Sequence, residues 1–260
     1  GTGVIILSGG NAGINGAAGS RLTLGSGQTL RGQGAVMQEV ITMTNNGVVS
    51  ADVPGAVMTL DPDGNSGSNS FMLNNGTLRA TNGGTLRLTG SSGGTFTGNG
   101  PVIADTGSTV ETLTSAIATI GPVSGAGTVS IAGASNVQAR HYRVGTLSVS
   151  SATARVAAGG GTLGTSIVNA LSLAGTARLD LSDHDLAIDY SGSSVLNSIR
   201  ASIATGFAGG AWNGVGINSS AAAASTSPKT ALGYAEASQI LSPGGGVFSG
   251  VAVDGTTVLV

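Results

Sequence analysis

The 260-residue chain contains no cysteine, few charged residues and few aromatic ones. The lack of cysteine leaves the cellular compartment open, because long hydrogen-bonded ladders can stabilise a secreted repeat protein without disulfides. Charged residues make up 8% of the chain, against roughly 25% in typical proteins. With a net charge of −2 and Lys229 as its single lysine, the chain lacks the basic clusters expected of a nucleic-acid-binding protein. No apolar run approaches the roughly 18 residues that indicate a membrane-spanning helix, so none is expected.

Glycine is abundant instead, with 46 residues, and small aliphatic residues accompany it. No G-X-Y period is present, which excludes collagen, and an apolar content of 40% is too high for a disordered linker. Because aromatic residues amount to only 3%, the core must be filled by Leu, Val, Ile and Ala. A narrow interior of this kind favours an all-β solenoid over a thick β-sandwich.

Residues 74–97, NNGTLRATNGGTLRLTGSSGGTFT, carry the clearest pattern in the chain. Three short segments, TLRAT, TLRLT and TFT, are separated by Asn, Gly and Ser turns, and apolar residues alternate with Thr or Arg within them. A period of two places alternate side chains on opposite faces of a β-strand. The residues predicted to point inward are Leu78, Ala80, Leu86, Leu88 and Phe96, joined by Leu22, Leu24 and Leu30 in an earlier segment.

Related units begin at Asn45 (NNGVVSA), Asn74 (NNGTLRA), Gly98 (GNGPVIA) and Ser124 (SGAGTVS). Recurrence at a nearly regular interval predicts a solenoid, in which each coil stacks on its neighbours to bury its inward face. We therefore predict an all-β fold, a parallel β-helix with coils of roughly 24–29 residues, over residues 1–190. A loop at 61–65, DPDGN, accounts for the longest coil.

Residues 191–260 differ in character and are predicted to form a mixed α+β capping or assembly region. Val195, Leu196, Ile199 and Ile203 form a helical stripe after a pair of serines, which predicts a helix with a Ser N-cap and a C-terminal Gly206. A second helix is expected around residues 230–241. The closing segments GVFSGVAV and TTVLV read as strands.

From residue 145 onward the chain resembles large secreted bacterial repeat proteins, through stretches such as LSLAGTARLDLSDHDLAIDY, GFAGGAWNGVGINSSAAA and GVFSGVAVDGTTVLV. The NNGTLRATNGGTLRLTG units resemble the autotransporter-associated β-strand repeat. This resemblance implies an extracellular or cell-surface protein without catalytic residues. Members of the family often end in a calcium-binding dockerin module or a PEP-CTERM sorting tag. This sequence stops at Val260, where such a module would begin, and opens at Gly1 without Met; we interpret it as a processed or excised segment that assembles in another way.

The densest group of charges lies at Asp180, Asp183 and Asp185. Carboxylate oxygens at a turn suit Ca²⁺, so these three residues are a candidate calcium site and calcium is the one cofactor considered. The alternative, which is favoured, is a turn between two strands in which Asp side chains accept hydrogen bonds from backbone amides.

Arg140, His141 and Arg143, with Tyr142 among them, form the only local basic-aromatic group and are candidate contacts for an acidic polysaccharide. The alternative, which is favoured, is an exposed corner whose tyrosine packs along a neighbouring coil. Trp212 is a further glycan candidate, because an indole can stack on a sugar; the alternative for Trp212 is packing over the last coil. Catalysis is not expected, because polysaccharide-cleaving β-helices need several carboxylates on one face. Asp105 and Glu111 are the only acids between residues 64 and 179.

The sequence therefore predicts a non-enzymatic structural protein, a subunit of a cell-surface stalk, sheath or filament with copies of itself or other surface proteins as partners. Apolar terminal strands are the candidate assembly sites, because unpaired strand edges invite pairing with another chain. These residues are Val4, Ile5, Ile6 and Leu7 at one end and Val258, Leu259 and Val260 at the other. The alternative is a carbohydrate-binding or polysaccharide-degrading β-helix protein.

Overall fold

The computed structural model describes residues 1–17, 19–36, 42–62, 70–90, 93–114 and 116–260. Over these residues the chain is mostly strand, and its strands stack in parallel in the order of the sequence. Each turn of the chain, or coil, adds a strand to each of three faces. This arrangement is consistent with a β-solenoid. Residues 63–65 of the expected loop lie outside the described residues.

The strands are grouped below by the face to which they belong. The first face contains β1 (Gly3–Leu7), β4 (Gln28–Gly32), β7 (Val48–Ala51), β10 (Thr77–Ala80), β13 (Val102–Ala104) and β22 (Leu186–Asp189). The second face contains β2 (Gly13–Ile14), β5 (Gly34–Val36), β8 (Val57–Leu60), β11 (Thr85–Thr89) and β14 (Thr109–Leu113). Three long strands run through both faces: β16 (Val123–Ala132), β18 (Tyr142–Ser150) and β20 (Ser166–Ala174). The third face contains β3 (Arg21–Leu24), β6 (Thr42–Asn45), β9 (Phe71–Asn74), β12 (Thr95–Thr97), β15 (Ile117–Ile120), β17 (Asn136–Ala139), β19 (Thr153–Val156), β21 (Arg178–Asp180) and β23 (Gly216–Asn218).

The segment 74–97 forms one complete coil, as its alternation predicts. Its three apolar segments are β10, β11 and β12, one on each face. All five residues predicted to point inward are buried, and none is more than 2% exposed. Leu24 and Leu30 are also buried, and Leu22 packs against the same core. The period-two pattern therefore identifies the inward side correctly.

The coils are more variable in length than predicted. Leu78 pairs with Val49 in the coil before and with Val102 in the coil after, and both intervals match the predicted period. Val102, however, pairs with Val123, and Val123 pairs with Tyr142, so these two coils are shorter than predicted, whereas the pairing of Arg143 with Ile167 returns to the predicted period. In the coil from Val123 to Tyr142, β16 continues from the first face to the second without an intervening loop, which shortens that coil.

This continuity also makes the fourth predicted repeat wrong. The sequence aligns Ser124 with Gly98, but Ser124 pairs with Ile103 on the first face. The following GTVS segment lies on the second face instead, where Thr128 pairs with Thr109. The sequence motif thus recurs on a different face of the solenoid.

Glycines at one corner allow the coils to approach closely. Gly47, Gly76, Gly100 and Gly121 follow the third face in four successive coils. A Cβ atom at Gly76 would lie 2.1 Å from the carbonyl oxygen of Gly47, and one at Gly100 would lie 2.1 Å from that of Gly76. No side chain fits at such distances. Glycine is therefore required here by the spacing between coils.

Buried asparagines accompany this corner. The Asn45 Nδ2 group donates to Asn74 Oδ1 at 2.8 Å, and Asn45 Oδ1 accepts from the Gly47 amide at 3.1 Å. Both side chains are buried, and these bonds compensate the loss of solvation at Asn45 and at Asn74 Oδ1, whereas Asn74 Nδ2 has no hydrogen-bond partner among the described residues. The NNG sequence thus combines an inter-coil hydrogen bond with a close backbone approach.

The C-terminal region contains α1 (Leu196–Phe207), α2 (Ser220–Ala224) and α3 (Ala237–Ile240), a 3₁₀ turn at Ala208–Gly210 directly after α1, and the strands β24 (Ala235–Glu236), β25 (Gly246–Phe248), β26 (Val251–Val253) and β27 (Thr257–Leu259). Another 3₁₀ turn, Gly161–Gly164, precedes this region and lies between β19 and β20. The predicted helix at 196 is confirmed, but the predicted Ser N-cap is wrong: the N-cap residue is Val195, and the Ser194 hydroxyl accepts from the Leu196 amide at 3.1 Å. The expected helix at 230–241 is reduced to α3.

Gly206 does not end α1, contrary to the prediction. It lies inside the helix, and a Cβ there would be 1.9 Å from the carbonyl oxygen of Ile217 in β23. The helix ends instead at Ala208, which has a φ of 46°. Gly206 therefore serves the packing of α1 on the last strand of the third face.

One main core extends over both regions of the chain. It includes residues of all three faces together with Ile199, Ile203 and Trp212 of the C-terminal region. A smaller core lies under the β25–β26 hairpin. No helix among the described residues has the length and apolar character needed to cross a membrane.

We predict that Gly76→Ala lowers the free energy of unfolding by about 1–3 kcal/mol, the usual cost of forcing atoms into a well-packed interior. Chemical denaturation monitored by circular dichroism measures this loss. Gly233→Ala is the matched control, since Gly233 has no atom within 4 Å of its Cβ position. Equal stabilities of the two variants would contradict the close approach at this corner.

Candidate functional site

The three candidate calcium ligands have separate hydrogen-bond partners. Asp180 is buried, and its Oδ1 accepts from the amides of Ser182 and Ser220, both at 2.9 Å. Its Oδ2 accepts from Arg155 Nε, also at 2.9 Å. This carboxylate is thus saturated by a turn and an ion pair, the arrangement that the alternative interpretation expects.

Asp183 and Asp185 contact other parts of the chain. Asp183 is exposed and accepts from the Gly159 amide at 3.1 Å. Asp185 Oδ2 accepts from the Ser249 hydroxyl. Within the described parts of the chain, no three His, Cys, Asp or Glu side chains are grouped closely enough to hold a metal ion. The calcium hypothesis for these three residues is therefore not supported by their geometry.

The basic-aromatic group splits between the surface and the core. Tyr142 points inward and is fully buried, and its hydroxyl donates to the carbonyl of Val137 at 3.0 Å. Arg143 donates to the carbonyls of Thr165 at 3.0 Å and Thr162 at 3.3 Å. His141 Nδ1 donates to the carbonyl of Leu163 at 2.8 Å. These contacts hold the 162–165 segment against the first face.

Arg140 and Trp212 lie apart from that arrangement. Arg140 is exposed and lines a shallow hollow with Gln138 and Thr119. Trp212 is 5% exposed and packs edge-to-face on Phe207, with ring centroids 5.1 Å apart. Trp212 therefore belongs to the packing over the last coil. The four glycan candidates do not form one site.

The few ionic side chains of the solenoid mostly pair with each other across coils. Four Arg–carboxylate pairs join adjacent coils among the described residues: Arg31–Asp52 at 2.7 Å, Arg79–Asp105 at 2.5 Å, Arg87–Glu111 at 2.6 Å and Arg155–Asp180 at 2.9 Å. Burial would raise the pKa of the Asp105 carboxyl, but hydrogen bonds from Arg79 and Thr81 and the charge of Arg79 hold it below its ordinary value. Asp105 and Glu111 are thus each engaged by an arginine of the preceding coil.

The two predicted assembly ends have different environments. At β1, Val4, Ile5 and Ile6 are 61%, 42% and 63% exposed, while Leu7 is buried. Among the described residues β1 pairs only with β4, so its other edge is open.

The C-terminal end is covered, and the expectation of a free strand there is wrong. Val258, Leu259 and Val260 are all buried. Strand β27 pairs antiparallel with β22 on one side and with β24 on the other. Both of its edges are therefore occupied within the chain.

Sequence reasoning missed a polar cleft on the third face near its C-terminal end. The ladder places Asn136, Thr153 and Arg178 in one outward row, because Asn136 pairs with Thr153 and Thr153 with Arg178. The two intervals between these residues differ, so no constant repeat aligns them. The only signal in the sequence was that Asn136, Thr153 and Arg178 each begin a short segment in which polar and apolar residues alternate.

Comparison of the chain with protein-family models, with curated protein sequences and with solved structures produced no match. The resemblance to secreted repeat proteins therefore stays a prediction.

We predict that His141 makes the folded protein less stable as the pH falls. Burial lowers the pKa of the imidazole, the bond to Leu163 opposes this, and the charges of Arg143 and Arg140 lower it further. Between the unfolded pKa of about 6.5 and the lower folded value, the unfolded state binds more protons, so acidification favours unfolding.

Urea unfolding of the wild type and of His141→Gln at pH 7.5 and pH 5 measures this effect. The wild type should lose more stability than the variant over this range. Parallel losses in the two proteins would contradict a lowered pKa at His141.

Proposed function

We propose that the chain is a non-enzymatic structural protein of the cell surface, the shaft of an extracellular stalk, sheath or filament. In this proposal the shaft is a parallel β-helix and residues 191–260 form a mixed α+β cap. The resemblance to secreted bacterial repeat proteins supports the location. Eight steps between the nine strands of the third face correspond to a length of about 38 Å, at roughly 4.8 Å per step.

The observation that carries this proposal is the state of the acids on the shaft. Asp105 and Glu111, the only acids between residues 64 and 179, each face an arginine of the preceding coil. Acid–base catalysis on a polysaccharide needs carboxylates that can reach the substrate and exchange protons. Both carboxylates are engaged by arginines, which supports a structural role and weighs against the polysaccharide-degrading alternative.

The ion pairs between coils are also compatible with a structural shaft. Each exposed pair contributes only a few tenths of a kcal/mol to about 1 kcal/mol, so the pairs are not the main source of stability. Their geometry matters more, because each one joins a strand or corner to the next coil. We infer that they help to fix the register between coils whose lengths differ.

The open edge of β1 is the proposed attachment point of the shaft. Its N–H and C=O groups on the free side are unpaired among the described residues, and its exposed side chains are Val and Ile. An apolar edge of this kind accepts a further strand. Because β27 has no free edge, we propose that a second copy pairs at β1 through an isologous contact, edge to edge, and not head to tail. Such a contact closes at two copies, so it favours the stalk form of the proposal over a continuous filament.

Sedimentation velocity and negative-stain microscopy of the chain test this proposal. The wild type should form a concentration-dependent dimer of two rods joined at one end. Ile6→Lys places a charge on the open edge and should weaken the association by about tenfold or more.

Val247→Lys is the matched control, because Val247 is 70% exposed but lies in the C-terminal hairpin. It should leave the dimer intact. A wild type that stays monomeric, or equal effects of the two lysines, would contradict attachment at β1. Globular particles in place of rods would contradict the shaft itself.

A further inference from the structure

Arg178 lies in a polar groove on the third face. Two adjoining hollows, of about 360 Å³ and about 370 Å³, share three lining residues, Asn136, Thr153 and Arg178. One hollow extends toward Asn213 and Trp212, and the other toward the turns that precede the three strands. Arg178 therefore sits in the middle of a continuous groove.

The groove follows the axis of the solenoid. Asn136, Thr153, Arg178 and Gly216 occupy the same register position in four successive coils. At Gly216 the row is closed by α1, because a Cβ there would lie 2.3 Å from the carbonyl oxygen of Ser202. The open part of the row, from Asn136 to Arg178, covers two steps of roughly 4.8 Å, or about 10 Å. A groove of this shape suits an extended chain molecule.

The charge of Arg178 is not neutralised by the protein. Arg178 is exposed and has no hydrogen-bond or ion-pair partner within the part of the chain that the structure describes. The nearby Asp180 is held by Arg155 and by two backbone amides, as described above, so that carboxylate is compensated. The groove consequently carries a positive charge with all its guanidinium donors available.

The remaining polar groups of the groove are uncharged. Asn136 and Asn213 present exposed amides, and Thr153 presents a half-buried hydroxyl. Amides and hydroxyls of this kind exchange hydrogen bonds with sugar hydroxyls, while a guanidinium binds a carboxylate in a bidentate manner. One cation among neutral donors and acceptors fits a polymer with an acid group on some of its sugars.

We propose that this groove binds a carboxylated polysaccharide, with Arg178 holding a uronate carboxylate and Asn136, Thr153 and Asn213 contacting the adjacent sugars. The site differs from the Arg140–Arg143 group that the sequence suggested. It goes beyond the structural role proposed above and does not depend on it, since a shaft can carry a binding groove or lack one.

Fluorescence titration with an oligogalacturonate tests the site directly. Trp212 is the only tryptophan of the chain and lines the groove, so its emission reports on occupancy. The wild type should bind the oligogalacturonate and should bind a neutral malto-oligosaccharide of the same length at least about tenfold more weakly. Isothermal titration calorimetry provides a second measurement of the same affinities.

Arg178→Gln should weaken binding of the oligogalacturonate by about tenfold or more, and Arg178→Lys should have an intermediate affinity because it keeps the charge but loses the planar fork. Arg21→Gln is the matched control. Arg21 starts β3 in the same outward row of the third face, and the neighbouring strand partner is Thr42. It removes the same charge far from the groove and should leave binding unchanged.

Thermal unfolding by circular dichroism confirms that the variants fold, which is expected because the Arg178 side chain has no hydrogen-bond or ion-pair partner among the described residues. Absence of oligogalacturonate binding by the wild type would overturn the proposal. Unchanged binding in Arg178→Gln would overturn it as well. Equal weakening by Arg178→Gln and Arg21→Gln would show attraction by overall charge and contradict a built site.

Discussion

The pairing of each strand with the same strand of the next coil is the constraint on which the rest of the structure depends. Parallel ladders on three faces fix the distance between coils, and the corner backbones must then pass within contact of each other. Glycines such as Gly76 and Gly100 are the consequence, since a Cβ would lie 2.1 Å from a carbonyl oxygen of the coil before. The ladder also determines the core, because one inward residue per position must fill a narrow interior with small aliphatic side chains.

The chain has few charged side chains, and several of them pair with a side chain of the adjacent coil. An arginine of one coil meets a carboxylate of the next at Arg87–Glu111 and Arg155–Asp180, directly across the ladder. These pairs occupy the acids that catalysis would need, and they leave a few cations without partners. Arg178 is one of these cations, and its groove is the proposed binding site for a carboxylated polysaccharide. Paired and unpaired arginines therefore lie side by side on the third face, as Arg155 and Arg178 do.

The sequence predicts the local features of this fold better than the long-range ones. Alternation in residues 74–97 identifies Leu78, Leu86 and Phe96 as inward because the period of a strand is fixed by its backbone. The row containing Arg178 is not predictable in this way, since successive coils differ in length and the sequence motif moves from one face to another. The burial of Val258 was also not predicted. The sequence of an apolar strand does not show whether the strand pairs with its own chain or with another chain.

Hydrogen exchange measured by mass spectrometry tests the stacked ladder most directly, because amide protection follows hydrogen bonding and local stability. The account predicts the slowest exchange in β10, β11, β13 and β14, which have a paired strand on both sides. It predicts fast exchange in β1, which has one, and strong protection in β27, which is covered on both sides. Rapid exchange in the central strands, or protection of β1 equal to theirs in the monomer, would contradict the ladder and its open end.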